Sequence, residues 1–195
     1  EHIKQGGKRR GANMGVLRVD HPDILEFVNA KREEDILSNF NISVGVTDEF
    51  LEAVRSKADY PLIHPVTHKT TERIPASHVF EAIVQAAWKT GDPGLLFLDV
   101  INRANPTPEL GTLEATNPCG EIPLLPNEAC ILGSINLAHH LHKEKERASI
   151  DWEKLKQTTQ TAVRFLDNLI EVNRYPTLGI EQQTRGNRKI GLGVM

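Results

Sequence analysis

The chain has 195 residues, with 23 Lys plus Arg against 26 Asp plus Glu and a formal net charge of −3. That length builds one domain with a real core, and the mild acidity argues against nucleic-acid or anionic-membrane partners, which need concentrated positive charge. Hydrophobic residues make up 39%, well short of a disordered composition, and no apolar run approaches the roughly 20 residues of a membrane span.

Two cysteines exclude a disulfide scaffold and, with no signal peptide, point to the reducing cytoplasm. The chain opens at Glu1 without an initiator Met and closes on Gly191-Leu-Gly-Val-Met195, so its ends read as cut and an internal fragment is expected.

In chain order, Gln5-Gly-Gly-Lys-Arg-Arg-Gly-Ala12 packs three glycines and three cations into eight residues and reads as a loop. Met14–Val19 reads as a short strand. His21-Pro-Asp23 should start a helix with Pro22 at its first position and Ile24, Leu25, Phe27 and Val28 on the buried face. Asn41–Val46 alternates apolar and polar residues like a strand. Thr47 should then cap a helix carrying Phe50, Leu51 and Val54, with Asp48 and Glu49 in its first turn. Residues 56–76 read as an irregular excursion. The spacing predicts a helix over Val79–Lys89 with Phe80, Ile83, Val84, Ala87 and Trp88 on one side.

Gly91-Asp-Pro-Gly94 should end that helix and feed Leu95–Val100, a continuous apolar run like a buried strand. The last long helix starts near Asp151 and repeats Trp152, Leu155, Thr159, Val163, Leu166 and Ile170 at three-to-four spacing. Trp88 and Trp152 are expected in the core. Short strands alternating with amphipathic helices predict an α/β layout with largely parallel strands. The stretch from Asn102 to Asn136 does not fit a helix and holds both cysteines.

Within it, Asn117-Pro-Cys-Gly-Glu-Ile-Pro-Leu-Leu-Pro126 carries the most chemistry. Pro118 and Pro123 should hold the backbone extended, and Gly120 permits a close approach beside the thiol. Alternation in an extended chain would then put Asn117, Cys119 and Glu121 on one side. An amide can hold a hydroxyl, a carboxylate can take its proton, and sulfur can donate or accept a hydrogen atom. The plainer alternative is an ordinary loop in which a small apolar Cys neighbours a Glu.

Together with Asn127-Glu-Ala-Cys-Ile-Leu-Gly-Ser-Ile-Asn-Leu137, this segment closely resembles the catalytic subunits of ribonucleotide reductases. It is most similar to class II, the adenosylcobalamin-dependent enzymes, where the spacing between the two cysteines is short; Cys119 and Cys130 lie 11 positions apart. Gln5–Ala12 is similar to the family's loop linking effector site and substrate base, and Tyr175-Pro176 with Arg188–Val194 looks like its later barrel segment.

The resemblance implies a partial ten-stranded α/β barrel with a central catalytic loop, residues 1–195 being an internal fragment of that catalytic domain. Cys119 would be the thiyl-radical residue removing the ribose 3′ hydrogen, Glu121 would take the 3′-hydroxyl proton, and Asn117 would bond the sugar hydroxyls. Pro118 and Gly120 would complete the substrate-binding loop, and Cys130 would be half of the dithiol that becomes a disulfide. Gln5, Gly6, Gly7, Lys8, Arg9 and Arg10 would form the effector and substrate-base loop. The implied partners are a ribonucleotide substrate, a deoxynucleotide effector, an external dithiol reductant such as thioredoxin, and a second copy in a homodimer. The implied cofactor is adenosylcobalamin, whose site would lie mostly outside this chain.

This sequence departs from the family in lacking the second cysteine that would pair with Cys130. A Cys119–Cys130 disulfide would sequester the radical residue. The fragment alone is expected to be inactive. Two competing readings are a class I-like large subunit that needs a separate radical-generating subunit, and a non-catalytic nucleotide-binding regulatory module around Gln5–Ala12. Lys8, Arg9 and Arg10 are too few for a nucleic-acid patch in a net-acidic chain. His139, His140 and His142 lack a Cys partner at zinc-finger spacing, so a solvated helix or turn is expected there and no metal site.

Overall fold

A computed structural model describes residues 4–5, 9–32, 37, 39–144 and 147–195, which fall into two units, Glu1–Pro126 and Asn127–Met195. In the first unit, β1 (Lys4–Gln5) and β2 (Arg9–Arg10) pair antiparallel. Then come β3 (Asn13–Arg18), α1 (Ile24–Val28), β4 (Phe40–Val46) and α2 (Asp48–Ser56). An antiparallel hairpin of β5 (Asp59–Ile63) and β6 (Thr70–Pro75) leads into α3 (Ala76–Thr90). β7 (Gly94–Phe97), α4 (Leu98–Arg103), β8 (Ala115–Thr116) and β9 (Pro123–Leu124) complete the unit.

β3, β4 and β7 form a parallel sheet with β4 in the middle, Met14 opposite Asn41 and Ser43 opposite Gly94. The alternation in β4 does not separate an inner from an outer face, because Ile42 through Val46 are all buried. It separates large from small side chains: a Cβ on Gly45 would stand 2.6 Å from Leu98 Cδ1, so the glycine leaves room for the buried Leu98 side chain against the sheet.

Helices α1, α2 and α3 and the β5–β6 hairpin bury Ile24, Val28, Phe50, Tyr60, Val79 and Ile83 against the sheet's apolar residues. The Phe50 and Tyr60 rings meet edge to face with centroids 5.2 Å apart. Thr47 caps α2 as predicted, its hydroxyl accepting the Phe50 N–H at 3.1 Å, and the same oxygen lies 3.1 Å from the Tyr60 hydroxyl. Burial pushes the Tyr60 phenol above its ordinary pKa and keeps this buried pair neutral.

Four local expectations are corrected here. Helix α1 begins at Ile24, after a turn through His21, Pro22 and Asp23, so Pro22 precedes the helix. Residues 56–76 hold the β5–β6 hairpin, in which Tyr60 and Leu62 alternate inward; a two-stranded ribbon has unbonded positions that accommodate Pro61 and Pro75. The run Leu95–Val100 is strand only to Phe97 and then becomes α4. Helix α3 turns Val79, Ile83 and Ala86 inward, and Trp88 is 89% exposed.

The second unit runs through β10 (Ile131–Ile135), a short 3₁₀ turn at Leu137–His140, the hairpin β11 (Leu141–Glu144) and β12 (Arg147–Ile150), α5 (Trp152–Val172), α6 (Leu178–Asn187) and β13 (Ile190–Val194). β10 and β13 pair in parallel, so α5 is the crossover of a β–α–β unit and lays Leu166 over Gly133. Asp151 caps α5 through the Lys154 N–H, and Leu166 and Ile170 are buried. Trp152, expected in the core, is 67% exposed at the helix start. His140 is also not solvated: it is 5% exposed, with Nδ1 3.0 Å from the Asn136 carbonyl and Nε2 2.9 Å from Thr158 Oγ1.

At the junction after α6, Arg188 bonds Asp167 and Glu171, and holds both carboxyls below the usual carboxylate range. Folded values below unfolded ones mean that this stabilisation is complete at neutral pH and is lost as pH falls below about 4. Arg188→Gln should therefore flatten the acid side of the stability profile, read as denaturation midpoint against pH for parent and variant.

The α/β content with parallel strands matches expectation, whereas the strands make no closed barrel among the described residues. Among the described residues no helix is long and apolar enough to cross a membrane.

Candidate active-site turn

The Asn117–Glu121 segment is the tip of a hairpin, with Ala115 paired to Leu124 and Thr116 to Pro123. The chain turns back at once rather than running extended, which corrects the expected alternation of Asn117, Cys119 and Glu121. Pro118 starts the turn, where its fixed φ is favourable, and Gly120 ends it at φ +87, a left-handed conformation that favours glycine. The Gly120 N–H donates to the Asn117 carbonyl at 3.0 Å, and the Asn117 N–H donates to the Ile122 carbonyl at 3.2 Å.

Asn117 is 8% exposed, and its Oδ1 accepts the Ile122 N–H at 3.0 Å. Its first task is thus structural: the amide closes the turn from inside. The neighbouring Thr116 hydroxyl donates to the Asn117 carbonyl at 3.0 Å. Cys119 and Glu121 are both exposed, so the thiol and the carboxylate are open to a ligand while the residue between them sets the bend.

Asn41, in β4, is a site residue that no sequence motif marks. Its Nδ2 donates to the Pro118 carbonyl at 2.6 Å and ties the turn to the first unit's sheet. No local motif marks such a residue, since its partner lies 77 positions away. A second brace acts upstream: the Asn102 side chain bonds the Leu98 and Leu113 carbonyls and the Leu113 N–H, fixing the approach to β8.

Of the expected effector loop, Gln5 pairs with Arg9 in β1–β2, and Arg10 pairs with Lys4. Gly6, Gly7 and Lys8 lie outside the described residues. The loop leads to Asn13, which pairs with Phe40 beside Asn41. Three residues span at most about 11 Å, so Arg10 enters at the sheet end that Asn41 ties to the Cys119 turn.

In the second unit Cys130 is half-buried just before β10. Neither cysteine is in a disulfide among the described residues. Among the described residues no three His, Cys, Asp or Glu side chains gather as a metal cluster. A first-unit cavity of about 910 Å³ is bordered by Arg18, Asp20, Asp99 and Asn102. Its polar side chains serve the fold: Arg18 pairs with Asp20 at 2.7 Å, and Asp99 accepts the Asp48 N–H at 2.7 Å. A second-unit cavity of about 430 Å³ is lined mainly by apolar residues of β10 and α5.

Residues 1–195 match the family described as "Ribonucleotide reductase, barrel domain". The chain is 54% identical to the "Vitamin B12-dependent ribonucleoside-diphosphate reductase" of Thermoplasma acidophilum over 99% of its length, covering 25% of that protein. It is also 54% identical to the protein of that description from Mycobacterium tuberculosis, covering 99% of this chain and 28% of the relative. Against the "Ribonucleoside-diphosphate reductase subunit alpha" of Chlamydia trachomatis the identity is 30%, over 99% of this chain and 21% of the relative. The chain thus spans between a fifth and under a third of the length of these relatives. Matched along its whole length, the chain belongs to the ribonucleotide reductase barrel-domain family.

Proposed function

We propose that the protein containing this chain reduces ribonucleoside di- or triphosphates to 2′-deoxyribonucleotides by a thiyl-radical mechanism, residues 1–195 forming part of a ten-stranded catalytic barrel. The observation carrying this reading is an exposed Cys119 two positions from an exposed Glu121 on a turn held by Asn117 and Asn41. The greater identity to the B12-dependent relatives than to the subunit-alpha relative supports class II chemistry.

Adenosylcobalamin, when bound, would supply the radical equivalent, and the exposed Cys119 thiol is the group of this chain that would receive it. Neither the 910 Å³ nor the 430 Å³ cavity is lined by Cys119.

The Cys119 thiyl takes the hydrogen from ribose C3′, and Glu121 takes the 3′-hydroxyl proton, which a hydroxyl is too weak an acid to release unaided. Asn117 holds the sugar hydroxyls with the part of its amide that does not close the turn. The 2′-oxygen leaves as water. Two electrons and two protons come from a dithiol, Cys130 with a second thiol, which becomes a disulfide that an external dithiol such as thioredoxin re-reduces. C3′ recovers its hydrogen from Cys119 and the 3′-oxygen its proton from Glu121, so both residues return to their starting states. The Gln5–Arg10 segment would report a deoxynucleotide effector to the substrate base, with a homodimer in the cytoplasm as the working form.

Incubating the full-length protein with nucleotide and dithiol, with and without adenosylcobalamin, tests this. Deoxynucleotide is expected only with the cofactor. Product that instead requires a second protein subunit would assign the chain to the class I-like reading, and effector binding without any reduction would leave a regulatory module.

Asn41→Ala should lower turnover on the order of tenfold, as small displacements of a positioned reacting group do. Nucleotide KM should change little, because Asn41 contacts the turn's backbone; steady-state kinetics of the full-length variant read both constants.

A further inference from the structure

Cys130 lies between two backbone anchors. The N–H before it, on Ala129, donates to Thr184 Oγ1 at 3.2 Å, and Thr184 is fully buried on α6. The N–H after it, on Ile131, donates to the Lys189 carbonyl at 3.3 Å. Lys189 then reaches back: its ammonium bonds the Glu128 carboxylate at 2.6 Å. One residue therefore grips the chain on both sides of the thiol, by its carbonyl after Cys130 and by its side chain before it.

The Glu128 side chain is 0% exposed, and its other carboxylate oxygen accepts from the Asn187 amide. A buried carboxylate is costly unless paired and hydrogen-bonded, and here it is both. Such pairs are a poor route to stability but a good one to a unique register, since a shifted segment would strand the charge. All of these groups lie within the second unit, on the segment before β10, on α6 and just before β13.

We propose that Glu128 and Lys189 are positioning residues for Cys130, forming a pin that fixes the direction from which its sulfur meets a partner thiol. This rests on the reading of Cys130 as half of the reducing dithiol. If the pin is released, the segment opens more often and the sulfur loses its fixed approach. Glu128→Gln keeps the side-chain shape and a bond to Asn187 while removing the charge that Lys189 grips. Asn187→Ala is the milder release, removing one bond and leaving the ion pair.

Brief iodoacetamide treatment of the full-length protein, with the Cys119 and Cys130 peptides quantified separately by mass spectrometry, reads the pin directly. Glu128→Gln should alkylate Cys130 about fivefold faster, the factor by which losing an ordinary hydrogen bond raises the population of an opened segment. Cys119, in the other unit, should react at its parent rate. Asn187→Ala should act in the same direction to a smaller extent, and it carries the test if Glu128→Gln fails to fold. Steady-state assays should show kcat reduced in both variants with nucleotide KM unchanged. Parent-rate alkylation of Cys130 in both variants overturns the proposal, as does equal acceleration at Cys119, which would mean general loosening. Faster alkylation of Cys130 with unaltered turnover upholds the pin and removes Cys130 from the dithiol.

Discussion

Cys119→Ser in the full-length protein should take deoxynucleotide formation below detection while nucleotide binding stays at its parent level. The exchange is nearly isosteric, at an exposed position of a turn whose bend is set by Pro118 and Gly120 and whose closure is made by Asn117. No hydrogen bond of the turn described above uses the sulfur, so the fold has little to lose. The proposed chemistry loses everything: an O–H bond is much stronger than an S–H bond, so a radical source able to activate the thiol cannot readily activate the serine hydroxyl. Product chromatography and equilibrium dialysis with labelled nucleotide separate the two effects. Parent-level product from the serine variant would remove Cys119 from the mechanism.

Glu121→Gln should lower kcat by about 10²–10⁴-fold, the usual worth of a positioned general base. Glutamine preserves size and can still bond a sugar hydroxyl, so KM for the nucleotide should move little, and the loss should appear in kcat. The carboxylate is exposed, which makes the substitution tolerable to the fold and isolates the loss of the proposed proton acceptor. A variant that retains near-parent turnover would return Glu121 to an ordinary loop position.

Local signals in the chain were legible where the physics is local. Thr47 and Asp151 act as helix caps because an oxygen side chain before an amphipathic run satisfies backbone N–H groups without distant help. The parallel arrangement of β3, β4 and β7 follows from alternation of strands and helices. Helical periodicity misled at Trp88 and Trp152, since an apolar residue at the margin of a stripe need not reach the core.

At the candidate site the residue types were readable and their geometry was not. Prolines flanking Cys119 suggested an extended chain, yet Pro118 with Gly120 makes a turn, which puts Asn117 inside and Cys119 outside. Turn chemistry and strand chemistry compete at such prolines, and the antiparallel pairing of β8 with β9 decides between them. Asn41 and the Lys189–Glu128 pair escaped notice because each joins residues more than sixty positions apart. Periodicity and capping carry no information at that range.

Removal of the ribose 3′ hydrogen is the central step of the proposed mechanism, and a competition between 3′-protio and 3′-deuterio ribonucleotides in the full-length protein tests it most directly. With both present in one reaction and adenosylcobalamin and dithiol supplied, the protiated nucleotide should be consumed faster. The deuterium should reappear at C3′ of the deoxynucleotide formed. Equal consumption of the two nucleotides, with the C3′ bond never broken, would contradict hydrogen abstraction by Cys119.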